Sequence, residues 1–339
     1  MRFPKDKLTH ISLALQGGGA HGAFTWGVLD ALLEDERLAF DGISGTSAGA
    51  INAVVLAHGL LEDGRDGARA ALRAFWEGVA NQSPPGFSSA IRDNGPSVSP
   101  AARVMLLWSR YLSPQQMNPF DINPLRNILD AQIDFERLRA ESPLKLFVAA
   151  THANSGKLRL FETHELSIDA LLASACLPTI SRAIEIDGEP YWDGGFSANP
   201  AVFPLLHECS ACDVLLVLLA PLLHTTTPSS AEEIRNRTLD FAFNAAFLRE
   251  MRRYARASEE SGSSLLSGRL ERKLRRTRFH AIQSAEHTGD LAIETRLVPS
   301  PPLLQMLHER GRETALTWLD RHRDNFGKRS SADIRQMFI

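Results

Sequence analysis

Over residues 10–61 the apolar positions change period in a way that lays out elements. HISLAL (His10–Leu15) is a short, nearly continuous apolar run, the pattern of a strand buried on both faces, and it ends at the glycines of LQGGGAHGAF (Leu15–Phe24). From Ala20 to Asp35 the apolar residues Phe24, Val28, Leu29, Leu32 and Leu33 recur at helical spacing and predict a helix. LAFDGIS (Leu38–Ser44) reads as a second strand and SAGAINAVVLAHGLL (Ser47–Leu61) as a second helix. Strand, helix, strand, helix predicts an α/β fold with a mostly parallel sheet covered on both faces.

Residues 83–100, dense in Pro, Gly and Ser, predict a loop or lid. AARVMLLWSRYL (Ala101–Leu112) predicts a helix whose Met105, Leu106, Trp108 and Leu112 pack into the core or line a pocket. Further strands are expected at Leu144–Thr151, Lys157–Glu162, Ala183–Asp187, in the apolar run from Val214, and at Phe279–Ser284; a helix at Ser167–Ala175 leads to Pro178. Residues 229–278 read as mostly helical, with arginines clustered in REMRRYARA and RLERKLRRTR. Such clusters predict solvated helix faces; the alternative is contact with anionic lipid headgroups. We expect a catalytic domain over 8–225 and a mostly helical region over 226–339 that packs on it or completes it.

At 339 residues, 44% hydrophobic and 23% charged, the chain can bury a sizeable core, and its net charge of -3 gives no global argument for nucleic acid or an anionic surface. Three cysteines imply no disulfide framework. Cys209 and Cys212 form a CxxC without a second ligand pair, so no metal site is expected and both read as small packed residues at a strand entrance. The basic N-terminus has too short an apolar core for a secretory signal, and no run reaches membrane-spanning length. The expected location is cytoplasmic, with any membrane met peripherally. Nothing in the sequence sets the oligomeric state.

Two glycine motifs carry the chemistry. Gly17, Gly19 and Gly22 fit GxGxxG after a strand, with Asp41 downstream, which makes a dinucleotide-binding protein a rival reading. GTSAG (Gly45, Thr46, Ser47, Ala48, Gly49) fits GxSxG, a nucleophile elbow between strand and helix. An ester carbonyl attacked by Ser47 would develop negative charge, and bare amides over Gly17, Gly18, Gly19, Ala20, His21 and Gly22 would stabilise it as an oxyanion hole. A serine hydroxyl needs a base, and Asp193, followed by Gly194 and Gly195 in a DGG motif, is the candidate. A Ser-His-Asp triad would instead draw on His207, His280, His287 or His308.

GGGAHG, GTSAG and DGG in this order resemble the patatin-like phospholipases. The resemblance covers roughly residues 8–210; SACLP (Ser174–Pro178) and Asn199 also look familiar from that family. It implies a three-layer α/β/α fold with a helical C-terminal extension, and a Ser47/Asp193 dyad. That dyad would cleave acyl esters of phospholipids or other lipids through an acyl-enzyme, without metal or organic cofactor. His21 departs from the pattern, standing where the family usually has Arg or Lys. A catalytically silent lipid-binding scaffold is the remaining alternative. The chain beyond about residue 225 carries no motif of its own.

Overall fold

The computed structural model describes residues 8–82, 89–92, 95–108, 111–260, 269–284, 291 and 293–339. Its strands are β1 (Thr9–Leu15), β2 (Leu38–Thr46), β3 (Ser89–Arg92), β4 (Gly95–Val98), β5 (Lys145–His152), β6 (Leu158–Glu162), β7 (Ile184–Ile186), β8 (Glu189–Asp193), β9 (Asp213–Leu218) and β10 (Arg278–Gln283). Eight of them form one sheet in the order β10-β9-β1-β2-β5-β8-β7, with β6 added beside β5; β3 and β4 make a separate hairpin. β10, β9, β1, β2 and β5 run parallel, and β6, β8 and β7 join antiparallel.

Alternate residues of the central strands serve different cores. Ile11, Leu13 and Leu15 of β1 and Leu215 and Val217 of β9 face one; Ala14 of β1 and Val214, Leu216 and Leu218 of β9 face the other. Strands apolar on both faces need helices on both. The first face is covered by α1 (Gly22–Glu34), α2 (Ala48–Asn81), α5 (Pro124–Gln132), α7 (Ile168–Ser174) and α11 (Pro301–His322). The second is covered by α8 (Phe203–Glu208), α9 (Ala231–Glu260), α10 (Arg269–Arg276) and α12 (Ile334–Phe338). The peripheral helices α3 (Pro100–Trp108), α4 (Pro114–Met117) and α6 (Phe135–Glu141) complete the three-layer α/β/α architecture.

The C-terminal part of the chain enters both layers. β10 extends the sheet beyond β9, while α11 crosses α1 so closely that a Cβ on Gly27 would lie 2.7 Å from the Arg312 nitrogen. Asp30 of α1 is buried there and pairs with Arg69 of α2 (2.6 Å) and Arg312 of α11 (2.8 Å). Phe247, Met251, Leu274, Phe279 and Phe338 cover the second face of the sheet. A chain ending at residue 225 would expose that face and leave β9 as a long apolar edge. Such a truncation is expected to be insoluble or to show no cooperative thermal transition, checked by soluble expression and circular dichroism.

Three expectations change. The 83–100 segment contains the β3–β4 hairpin, with residues 83–88 and 93–94 outside the described residues. The helix after Ser47 runs on to Asn81 past a break at Asp63 and Gly64, because Ala68, Leu72, Phe75 and Trp76 supply a second buried stripe. Met105 and Trp108 of α3 do not enter the core: both are exposed, and in this helix Ala102 is buried instead. The side chain of Leu106 lies outside those described.

Candidate active site

The sheet register brings the two motifs together. β5 pairs with β6 through Phe147–Thr151, with β2 through Gly42–Thr46 against Lys145–Ala149, and with β8 through Ala150–His152. Because β6 overlaps both other partners, β2 and β8 share the opposite flank of β5, end to end. Thr46 stands opposite Ala149 and Asp193 opposite Ala150. One residue step along β5, about 3.3 Å, therefore separates the end of β2 from the end of β8.

Ser47 follows Thr46 in a left-handed conformation, φ 53° and ψ -124°, and α2 starts at the next residue. Few non-glycine residues adopt this geometry, and it is the sharp strand-to-helix turn that lifts a serine hydroxyl out of the backbone. The flanking glycines make room for it. A Cβ on Gly45 would sit 2.6 Å from the Ala50 nitrogen, and one on Gly49 would overlap the Leu15 carbonyl. The turn is held by Ser174 Oγ, which accepts from the Ser47 amide (2.9 Å), and by the Thr46 hydroxyl, which donates to the Ala198 carbonyl (2.7 Å). Ser47 itself is half-buried.

Asp193 is buried at 2% exposure and accepts from the Gly195 amide (2.7 Å), and the Ser47 hydroxyl is near enough to its carboxylate to favour the charged form. Its own amide donates to the Cys176 carbonyl (2.7 Å), and Thr151 Oγ1 donates to its carbonyl (2.8 Å), so its backbone is fixed on both sides of the side chain. Burial pushes its pKa up to about 7; the Gly195 and Ser47 hydrogen bonds oppose this without cancelling it.

The first glycine cluster lies against the elbow, since a Cβ on Gly17 would be 2.9 Å from the Ser47 Cβ. The Gly17 amide donates to Asn199 Oδ1 (2.7 Å) and so is already committed. Gly19 adopts φ 58°, and the chain then makes one 3-10 turn, Gly19–His21, closed by the His21 amide on the Gly18 carbonyl (3.2 Å). Among the described residues no acceptor is seen for the amides of Gly18 and Gly19. His21 turns away into the fold. Its Nε2 bonds Thr295 Oγ1 (2.8 Å), and burial, with Arg296 nearby, pulls its pKa down to about 3. It is therefore neutral at physiological pH.

Gln16, Asn199 and Asn244 brace this loop, and only Asn199 was visible in the sequence. Gln16 Oε1 accepts from the Leu219 and Ala220 amides (2.6 and 2.8 Å), and its Nε2 donates to Asn244 Oδ1 (2.8 Å) and the Asn199 carbonyl (3.3 Å). Asn244 is on α9, so the C-terminal region reaches the site. Lone amides far apart in sequence carry no motif; only the fold joins them.

The rival constellations are not assembled. Asp41 accepts from the Ala211 amide (2.6 Å) in the early part of β2, whereas the glycine loop adjoins that strand's far end. His280 binds Asp213 (3.0 Å) and Ser331 (2.9 Å) and is level with Leu13 in the register, below the strand ends and separated from β5 by three strands. His308 stacks on Trp26 and His207 packs near Phe203, and neither is bonded to Ser47 or Asp193; His287 lies outside the described residues. Cys209 and Cys212 are unpaired and stand just before β9.

The chain is 28% identical over 207 residues to YjjU of Escherichia coli K12, described as uncharacterized; the match takes in 55% of this chain and 46% of that protein, so the chain spans about half the length of the curated relative. Among solved structures it is similar to VipD from Legionella pneumophila, at 16% identity over 94% of this chain and 67% of that one, TM-score 0.43. It is also similar to the ExoU–SpcU complex from the type III secretion system of Pseudomonas aeruginosa, at 18% identity over 95% and 61%, TM-score 0.31. The patatin-like phospholipase family matches residues 13–206, more than half of the chain, with Ser47, Asp193 and the first glycine cluster inside the match, and the chain belongs to that family.

Proposed function

We propose that this protein is a serine acyl hydrolase that cleaves carboxylic ester bonds of phospholipids or other acyl lipids with a Ser47/Asp193 dyad. The observation that carries the reading is the placement of Ser47, at a strained turn, one register step from a buried carboxylate whose pKa is raised to about 7. A base of that pKa takes the serine proton near neutral pH and can return it to the leaving group.

In the acylation step Ser47 Oγ attacks the ester carbonyl while Asp193 takes its proton. The oxyanion is met by the amides of Gly18 and Gly19, with Gly17 supplying room rather than a donor. Collapse of the tetrahedral intermediate breaks the bond to the alcohol, which leaves with the proton from Asp193. Water, deprotonated by Asp193, then attacks the acyl-enzyme and releases the fatty acid, restoring Ser47. The residues of this cycle require neither metal nor organic cofactor.

A neutral His21, bonded to Thr295, adds no positive charge beside the oxyanion, so in this reading the backbone donors stabilise it alone. Intact-mass analysis after fluorophosphonate treatment tests the nucleophile. One adduct, absent in Ser47→Ala, supports it; no adduct on a folded protein that binds NAD(H) would favour the dinucleotide reading, and no adduct on one that binds lipid would favour a silent scaffold.

A further inference from the structure

We propose that this protein seats on lipid surfaces through an apolar rim around the mouth of the Ser47 site, and not through its arginine-rich helices. The inference rests on the hydrolase reading above for what the rim would approach.

Several of the large exposed apolar side chains stand on segments tied to the site. Phe120 is 85% exposed and Ile122 66%. Their turn accepts two hydrogen bonds from Arg182 at Asn118 and Pro119 (2.8 and 2.9 Å); the Arg182 carbonyl accepts from Cys176 Sγ (2.9 Å), and the Cys176 carbonyl binds the Asp193 amide. Leu223, 82% exposed, lies in the loop leaving β9, whose first amides are held by Gln16. Phe241, 57% exposed, packs its ring against His224, the neighbour of Leu223, at 6.1 Å between centroids. Leu297 follows Arg296, whose carbonyl rests on Gly19. Exposed apolar side chains on the segments that frame a site are what an interaction surface is built from.

Charge within the ring is matched. Arg296 pairs with Asp240 (2.6 Å) and Arg182 faces Asp121 (3.8 Å), so the rim suits an apolar surface without net charge preference. Arg235 and Arg237 share the first turns of α9 with Glu232 and Glu233, and the clustered arginines lie elsewhere. α10 ends at Arg276, immediately before β10 begins at Arg278, which puts Arg272, Arg275 and Arg276 at the edge of the sheet where the parallel strands start. Ser47 is at the edge where they finish. α9 runs from Asn244 beside the glycine loop down to Ala255, packed in the same cluster as Leu274 of α10, and carries Arg252, Arg253 and Arg256 the same way. The two edges are a strand length apart, about 20 Å. A bilayer laid on the arginines would face away from the nucleophile.

The test is flotation with phosphatidylcholine vesicles, with and without phosphatidylglycerol, beside hydrolysis of a soluble short-chain ester and of vesicle lipid. Wild type is expected to float equally with both vesicles. The variant carrying Phe120→Asp, Leu223→Asp and Phe241→Asp, with its melting temperature checked against wild type, is expected to lose flotation. Its ratio of vesicle to soluble-ester turnover should fall by about tenfold or more. Arg272→Glu, Arg275→Glu and Arg276→Glu together should change neither readout. Flotation that needs phosphatidylglycerol, is lost in the arginine variant, survives in the folded rim variant, or is absent in wild type overturns the proposal. Absence of soluble-ester hydrolysis in wild type would instead count against the hydrolase reading, while flotation still decides the rim.

Discussion

Ser47→Ala is expected to lower ester hydrolysis by roughly four orders of magnitude or more, since the acyl-enzyme has no other hydroxyl on which to form. The same change removes the fluorophosphonate adduct. It should scarcely alter folding: the amide that binds Ser174 remains, and relieving one hydroxyl from a half-buried turn leaves no buried group without a partner except one lone pair on Asp193. The left-handed backbone at position 47 is then occupied by alanine, at a cost of about 1 kcal/mol that serine already bears. Melting temperature within a few degrees of wild type, with activity gone, is the expected pair of results. A variant that keeps its activity would locate the nucleophile elsewhere, and His207→Ala and His308→Ala, at positions not bonded to the dyad, should retain hydrolysis.

What the sequence made legible is what local chain geometry controls. Three glycines before a helix and a serine between two glycines constrain their own turns, so the loop after β1 and the elbow after β2 could be read directly. Two-sided apolar runs announced the central strands. β8 was not legible, although it carries Asp193: EPYWD holds a proline and two acids, and it forms because β5 offers an open flank beyond the end of β2. For the same reason Asp193 could be named as a candidate base from its DGG turn and from resemblance, while the strand that carries it could not. Gln16 and Asn244 were invisible because a buried amide pair obeys no period, and the exposure of Met105 and Trp108 was misjudged because helical spacing says which residues share a face but not what that face meets.

Asp193→Asn is expected to give an inactive protein that is more stable than wild type at alkaline pH. The carboxylate has an ordinary value of 3.8 and is raised by burial to about 7 in the fold. Between those values the folded state holds a proton that the unfolded chain has lost, so this group's contribution to stability declines as pH rises from about 4 and is fully lost above about 7. A shift of that size corresponds to roughly 4 kcal/mol at most, at about 1.4 kcal/mol per pH unit. Asparagine carries no charge at any pH and keeps an oxygen to accept the Gly195 amide. Urea unfolding should therefore find the two proteins close at pH 4 and the variant ahead by a few kcal/mol at pH 8. Wild-type kcat/KM should rise with pH through a midpoint near 7, because only the ionised carboxylate can take the Ser47 proton. A variant equally destabilised at both pH values, together with a wild-type profile flat from pH 5 to 8, would mean that Asp193 holds the DGG turn in place and accepts no proton in the reaction.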